Sequence, residues 1–194
     1  FLEALQVITA KNPLPFITGT ICAHHCMDKC MRNHYECPVN IRGTKLQAAE
    51  GAFEELLAIT EMSREGEKVA IIGGGPAGLA AAYHAQKHGL QATVFEKRET
   101  LGGIVRNVIP GFRIGDDAID NDIALIKKTG AEFVMGKEAP DVKELKAMGF
   151  DYIVLACGAE KKGRLDIEGN VMNVIDFLYA FRRSVVGAAA CPAR

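Results

Sequence analysis

The sequence predicts an α/β protein: a small helical segment at the N-terminus, then a strand–helix–strand domain built on a parallel sheet. Three observations carry this. From Arg42 to Ile59, the apolar residues Leu46, Ala49, Phe53 and Leu56 recur at helical spacing. "TEMSREGE", Thr60 to Glu67, is charged and nearly devoid of apolar residues, as a connector is. Beyond it the apolar pattern shortens to strand length, and Gly73, Gly75 and Gly78 form G-x-G-x-x-G between a strand pattern and a helix pattern.

Taken in order, residues 1–15 read as a short helix ended by "KNPLP", where Pro13 and Pro15 remove donors and restrict their neighbours. A cysteine-rich stretch without regular periodicity follows, and then the helix of 42–59. "KVAII" (68–72) reads as a buried strand, Pro76 to about His88 as a helix stopped at Gly89, and "QATVFE" (91–96) as the second strand. That is one βαβ unit with the right-handed crossover such units adopt. A helix is expected over about 116–129, with Ile119, Ile123 and Ile126 on one face and Gly130 as its stop. "AEFVMG" reads as a strand, "DVKELKAMG" as a short helix, "DYIVLACG" (151–158) as an apolar strand, and 174–183 as a last helix. The expected divisions are 1–62 for the helical segment, 63–67 for the linker, 68–183 for the nucleotide domain and 184–194 for a tail.

Composition narrows the classes of function. With 48% hydrophobic and 24% charged residues, the chain of 194 residues reads as a soluble globular protein, expected in the cytoplasm. A net charge of −1 offers no nucleic-acid or membrane surface. No apolar run approaches the roughly 20 residues needed to span a bilayer.

The glycine loop has a specific mechanical reading. The first glycine permits a tight turn, the second lets backbone approach a pyrophosphate, and the third lets helix and strand pack closely. The helix N-terminus adds unpaired N–H groups and partial positive charge. Glu96 lies eighteen residues past Gly78, at the end of the second strand, where a carboxylate can accept bonds from ribose hydroxyls. Gly102 and Gly103 follow six and seven residues later and offer a second side-chain-free approach, which fits the longer contact FAD makes. Arg113 is a candidate partner for flavin or phosphate oxygens.

Four of the six cysteines, Cys22, Cys26, Cys30 and Cys37, fall within sixteen residues. Disulfides rarely persist in the cytoplasm, which favours metal ligation. Four thiolates suit an iron–sulfur cluster, and they also satisfy structural zinc, although spacings of three, three and six do not resemble paired C-x-x-C knuckles. Cys157, in an apolar strand, reads as a buried small hydrophobe. His24 and His25 read as solvated loop residues, and Cys191 has no assigned role.

These stretches together resemble the FAD- and iron–sulfur-containing NAD(P)H oxidoreductases, a group that includes glutamate synthase small subunits and the N-terminal half of dihydropyrimidine dehydrogenase. The nearest likeness is a branch labelled selenate reductase subunit. The resemblance rests on "NPLPFITGTIC", C-x3-C-x3-C, "PVNIR", "VAIIGGGPAGLAAAYHAQKHG", "VFEKRETLGGIVRNVIPGFRI" and "DYIVLACGAE", and spans about residues 5–183. It implies a Rossmann-like FAD-binding domain after an α-helical ferredoxin-like segment. Gly73, Gly74, Gly75, Pro76, Ala77 and Gly78 become the pyrophosphate loop, and Glu96 with Lys97 the adenosine side. Gly102, Gly103, Ile104 and Arg113 lie toward the flavin, with Ile21 against the cofactor. Cys22, Cys26 and Cys30 match the family's second cysteine group, whose clusters, 4Fe-4S in type, are shared with an earlier group. Cys37, before Pro38, departs from the pattern. Either all four cysteines close one local cluster, or three are split between two clusters completed by upstream cysteines; the split arrangement is preferred.

The function implied is electron transfer between NAD(P)H, FAD and iron–sulfur clusters to an unknown acceptor, with no catalytic side chain assigned. Two alternatives stay open: a non-catalytic electron-relay subunit completed by partner chains, and an NAD-binding protein with a structural zinc site. Because the chain opens on Phe1 and "GAAACPAR" stands where a second glycine loop is expected, it is expected to be incomplete at its C-terminus. Its partners would then be an upstream cysteine segment and a downstream NAD(P)H domain, in the same protein or a partner subunit.

Overall fold

The structure, a computed structural model, describes residues 1–62, 65–159, 163, 168, 169 and 171–189, with side chains of the last helix described through Ser184. Cys191 and Glu160, and the end of the expected tail, lie outside the described residues.

The helical segment opens with α1 (Leu2–Thr9), shorter than expected, because a second helix, α2 (Pro15–Ile21), was hidden in the proline stretch. Pro15 does not stop a helix here. It occupies the first helical position, where a missing N–H costs nothing and φ is already helical. The cysteine stretch carries only one short helical turn, α3 (His25–Asp28), and a 3-10 turn (Met31–His34). Next comes α4 (Ile41–Ile59), capped by Asn40, whose side chain accepts the Gly43 N–H. Ala49, Phe53 and Leu56 are buried as their spacing predicts, and Leu46 is half-buried.

The second part alternates strand and helix: β1 (Lys68–Ile72), α5 (Pro76–Lys87), β2 (Gln91–Glu96), α6 (Gly103–Asn107), α7 (Asp116–Lys128), β3 (Glu132–Met135), α8 (Val142–Ala147), β4 (Tyr152–Leu155) and α9 (Val174–Ala189). The four strands form one parallel sheet in the order β3-β2-β1-β4. Chain order runs outward from β1 to β3 and then returns to the other side of β1. The sheet therefore has its switch point between β1 and β4, the place where open α/β sheets bind ligands at their carboxyl ends. The α9 helix continues six residues past the predicted end.

Helical arm and sheet domain share a core. Leu5, Leu14, Phe16, Ile17, Ala49, Phe53 and Leu56 belong to the same buried cluster as Ile71, Leu79, Val94, Ile119, Ile123 and Ile126. Phe16 and Phe53 meet edge to face, centroids 5.1 Å apart, an arrangement worth about 0.5–1.5 kcal/mol beyond the area it buries. A smaller cluster of Ala70, Phe95 and Leu145 packs α8 against the other side of the sheet. No described helix is long and apolar enough to cross a membrane.

Candidate nucleotide and cysteine site

The glycine loop lies at the switch point. Gly73, the first residue past β1, has φ +113°, and a Cβ there would sit 2.4 Å from the Ala156 carbonyl oxygen, just beyond β4. Gly78 faces back onto the loop, where a Cβ would come within 1.8 Å of the Gly73 carbonyl oxygen. Neither position admits a side chain, so these two glycines are demanded by the fold itself.

Gly75 is different: a Cβ there would meet only the Gly103 Cα, at 3.8 Å, an ordinary contact. It caps α5, whose first turn presents N–H groups with no carbonyl inside the helix to accept them. Gly103, with φ +53°, comes so close that its own Cβ would lie 2.8 Å from the Gly75 Cα. Two glycine backbones thus approach each other at a helix N-terminus. The Gly102 N–H donates to the Gly74 carbonyl at 2.8 Å and ties the second glycine pair to the first.

Glu96 is buried at the end of β2, and its carboxylate organises the loop. Oε2 accepts the Gly74 N–H at 2.7 Å and Oε1 accepts the Arg98 N–H at 2.9 Å. Each oxygen has a second lone pair, so holding the loop leaves acceptor capacity for a ligand hydroxyl. Lys97, Ala77 and Arg113 are exposed, as is Ile104 beside Gly103. Ile21 is half-buried and packs on the main core.

Cys157 is a correction to the sequence reading. It is exposed and lies beyond β4 rather than inside it. Pairing ends at Leu155 because its partner strand ends at Ile72, after which Gly73 turns away; only the Ala156 N–H still reaches the Ile72 carbonyl. Ala156 and the Cys157 backbone nitrogen thereby lie beside Gly73 at the switch point. The spacing of apolar residues could not show this, whereas the strand order does.

Cys22, Cys26, Cys30, Cys37 and Cys157 are free thiols. Two of the arm's sulfurs receive backbone N–H groups. The His24 N–H reaches the Cys22 Sγ at 3.4 Å, and backbone N–H bonds from Val39 and then Arg32 hold the Cys30 thiol below its ordinary 9.0. His24 itself adopts φ +48°, rare for a side-chain-bearing residue, and its buried Nδ1 has no partner among the described residues. Among the described residues no three His, Cys, Asp or Glu side chains are gathered as a metal site. The arm therefore carries thiol donors of the kind an iron–sulfur cluster takes, not gathered at one point. The glycine cradle fits a dinucleotide pyrophosphate.

Two of the cavities lie at opposite ends of the strands. One of about 180 Å³, lined by Glu99, Thr100, Leu101, Arg106, Ile123 and Met135, lies beside the carboxyl ends of β2 and β3. The larger, about 310 Å³, is lined by Lys68, Gln91 and Glu132 at the opposite ends of the strands and has no part in the loop's chemistry.

Residues 71–141 match a family described as an NAD(P)-binding Rossmann-like domain. The chain is 37% identical over 194 residues to YgfK of Escherichia coli, which carries the name of an oxidoreductase, covering 97% of this chain and 19% of that protein. It is 33% identical to the glutamate synthase [NADPH] small chain of Mycobacterium tuberculosis, covering 86% of this chain and 35% of that one. A solved structure of 2-naphthoyl-CoA reductase with 2-naphthoyl-CoA aligns at a TM-score of 0.51 and 29% identity, over 70% of this chain and 21% of that chain. The chain thus spans between about a fifth and a third of the length of the curated relatives it matches. It is a homologue of a segment shared among oxidoreductases and NADPH-dependent oxidoreductase subunits, built on a Rossmann-like fold.

Proposed function

We propose that this chain is the flavin-binding, cluster-bearing part of a larger NAD(P)H oxidoreductase, passing electrons between NAD(P)H, FAD and iron–sulfur clusters to an acceptor outside it. The observation that carries the reading is the approach of Gly103 to Gly75 at the start of α5. It makes a second side-chain-free wall beside the pyrophosphate loop, as a long flavin dinucleotide needs.

In this reading Gly73, Gly74, Gly75, Pro76, Ala77 and Gly78 take the pyrophosphate at the helix N-terminus. Glu96 and Lys97 hold the adenosine ribose, and Gly102, Gly103, Ile104 and Arg113 face the flavin half, with Ile21 beside it. Cys22, Cys26 and Cys30 bind iron, with Cys37 as the fourth ligand if one cluster closes locally. When bound, FAD supplies the conversion of a hydride into single electrons. The chain's own residues bind and orient the cofactor, and none acts as acid or base. Its span of 19% to 35% of these relatives supports completion by further segments, in the same protein or a partner subunit.

A second reading puts a nicotinamide dinucleotide on the loop, for which the description of the matched family speaks, and zinc on the cysteines. One experiment separates the two. The chain, purified without oxygen, is assayed for iron, acid-labile sulfide and zinc, and titrated with FAD while flavin fluorescence is followed. Iron with sulfide and saturable quenching are expected. Zinc without sulfide, with no flavin uptake, would overturn the proposal.

A further inference from the structure

We propose that Asp122 is a positioning residue: its buried carboxylate, reaching from α7, seats the helix that ends at Ile21 and Cys22 on the nucleotide-binding domain. The inference rests on the reading of Cys22 as a cluster ligand, but its first tests do not depend on that reading.

The argument begins with what α2 lacks. A helix leaves its first N–H groups without internal acceptors, and a Ser, Thr, Asp or Asn before it ordinarily accepts one. Here the N-cap is Leu14, whose side chain has no acceptor, and no local side chain caps the helix. Pro15 removes one donor, but the N–H groups of Phe16 and Ile17 remain. Both residues are buried, so water does not serve them.

The acceptor arrives from more than a hundred residues away in sequence. Asp122 Oδ1 accepts the Phe16 N–H at 3.1 Å, and Oδ2 accepts the Ile17 N–H at 2.8 Å. Asp122 is 0% exposed, so no solvent competes for these bonds. At the other end of α2, the Cys22 carbonyl accepts from the Arg42 guanidinium at 3.1 Å. Acid sits at the positive end of the helix and base at the negative end, as the helix dipole favours.

A seven-residue helix does not hold itself together in water. Its position is set by the elements it packs on, α4 and α7, and by these two end clamps. Ile17 and Cys22 are separated by about 1.5 Å of helix rise per residue, so loosening the first turn is felt at the cysteine.

Three variants of the 194-residue chain test this: Asp122→Asn, which keeps the shape but presents an N–H group to one amide; Asp122→Ala, which removes both acceptors; and Arg42→Met, which releases the other end. Hydrogen exchange over 14–22 is compared with that of the strands 69–72 and 92–95, and alkylation of Cys22 is followed by mass spectrometry. Expected for Asp122→Ala is exchange over 14–22 faster by about tenfold or more, with quicker Cys22 alkylation and unchanged strands. Asp122→Asn should give a smaller change of the same pattern, and Arg42→Met should loosen only the Cys22 end. Wild-type exchange at 14–22 in both Asp122 variants overturns the proposal. Equal acceleration throughout the sheet overturns it too, since Asp122 would then only stabilise the fold. Both readouts use the metal-free chain, so failure of the cluster reading would appear separately, as wild-type chain that takes up no iron and sulfide.

Discussion

Gly75 and Gly78 stand three residues apart in one motif yet are glycine for different reasons. Alanine at 78 would drive a methyl into the Gly73 carbonyl, so Gly78→Ala is expected to cost about 3 kcal/mol or more in denaturant unfolding. Gly75→Ala meets only an ordinary contact and loses a capping glycine, costing about 1 kcal/mol. The same methyl would stand where the pyrophosphate is proposed to lie, so FAD affinity should fall by about tenfold or more. A Gly75→Ala chain that titrates with FAD like wild type would remove the loop from the flavin site. Asp122 gives a pH signature at the same scale. Burial raises its carboxyl from 3.8 to about 7, outweighing the opposing pull of the Ile17 and Phe16 amides. Between those values the folded chain binds more protons than the unfolded one, so stability falls as pH rises through this window. Asp122→Asn should flatten that slope in urea titrations across the window, whereas an unchanged slope would assign it to other groups. Such residues differ in how readable they were. The loop glycines and Glu96 stood at the fixed spacings of a G-x-G-x-x-G motif. Asp122 looked like any polar residue on a helix, because its partners lie in another segment.

At the scale of elements, the βαβ unit and α7 were legible because their patterns are long and their helices stop at glycines that take positive φ, Gly89 and Gly130. The α2 helix was not, since its prolines were taken as breakers, although a proline at the first helical position starts a helix. The end of β4 was misjudged because an apolar run outlasts its partner strand, which is a property of pairing rather than of sequence. Helix ends also offer a control for the flavin experiments. Asp141 caps α8 in a reciprocal box with Glu144, accepting the Lys143 and Glu144 N–H groups while the Glu144 carboxylate accepts the Asp141 N–H. Asp141→Ala should lower stability by about 1 kcal/mol and leave FAD uptake unchanged. Arg182 plays a different part: from α9 it donates to the Ile109 carbonyl and pairs with Asp116, fastening the last helix to the segment between α6 and α7. Arg106 pairs with Asp116 and Asp120 beside it, so the fastening belongs to a small charge network.

For the molecule as a whole, the decisive feature is that the helical arm and the sheet domain were built around one core. A charged connector at 60–67 suggests two independent bodies, and sequence cannot show that Leu5, Phe16 and Phe53 pack with Leu79 and Ile119. Tyr83 marks the seam. Burial raises its phenol above 10.0, while a hydrogen bond with the Thr9 side chain joins α5 to α1 and pulls the other way. Neither part can leave without exposing the other's apolar surface, since α2 lies on α7 and buried residues of both parts form one cluster. The expected consequence is a single cooperative unfolding transition. Far-UV circular dichroism reports mainly helix, and near-UV circular dichroism reports tyrosine, for the chain has four tyrosines and no tryptophan. The two signals should give the same midpoint in urea, and the calorimetric and van't Hoff enthalpies should agree. Chelation of any bound iron should leave that transition in place, because the core contains none of the four clustered cysteines. If the near-UV signal were lost well before the helical signal, the arm would be a separately folding unit. The position of Cys22 relative to the glycine loop would then depend on a movable joint, not on a shared core.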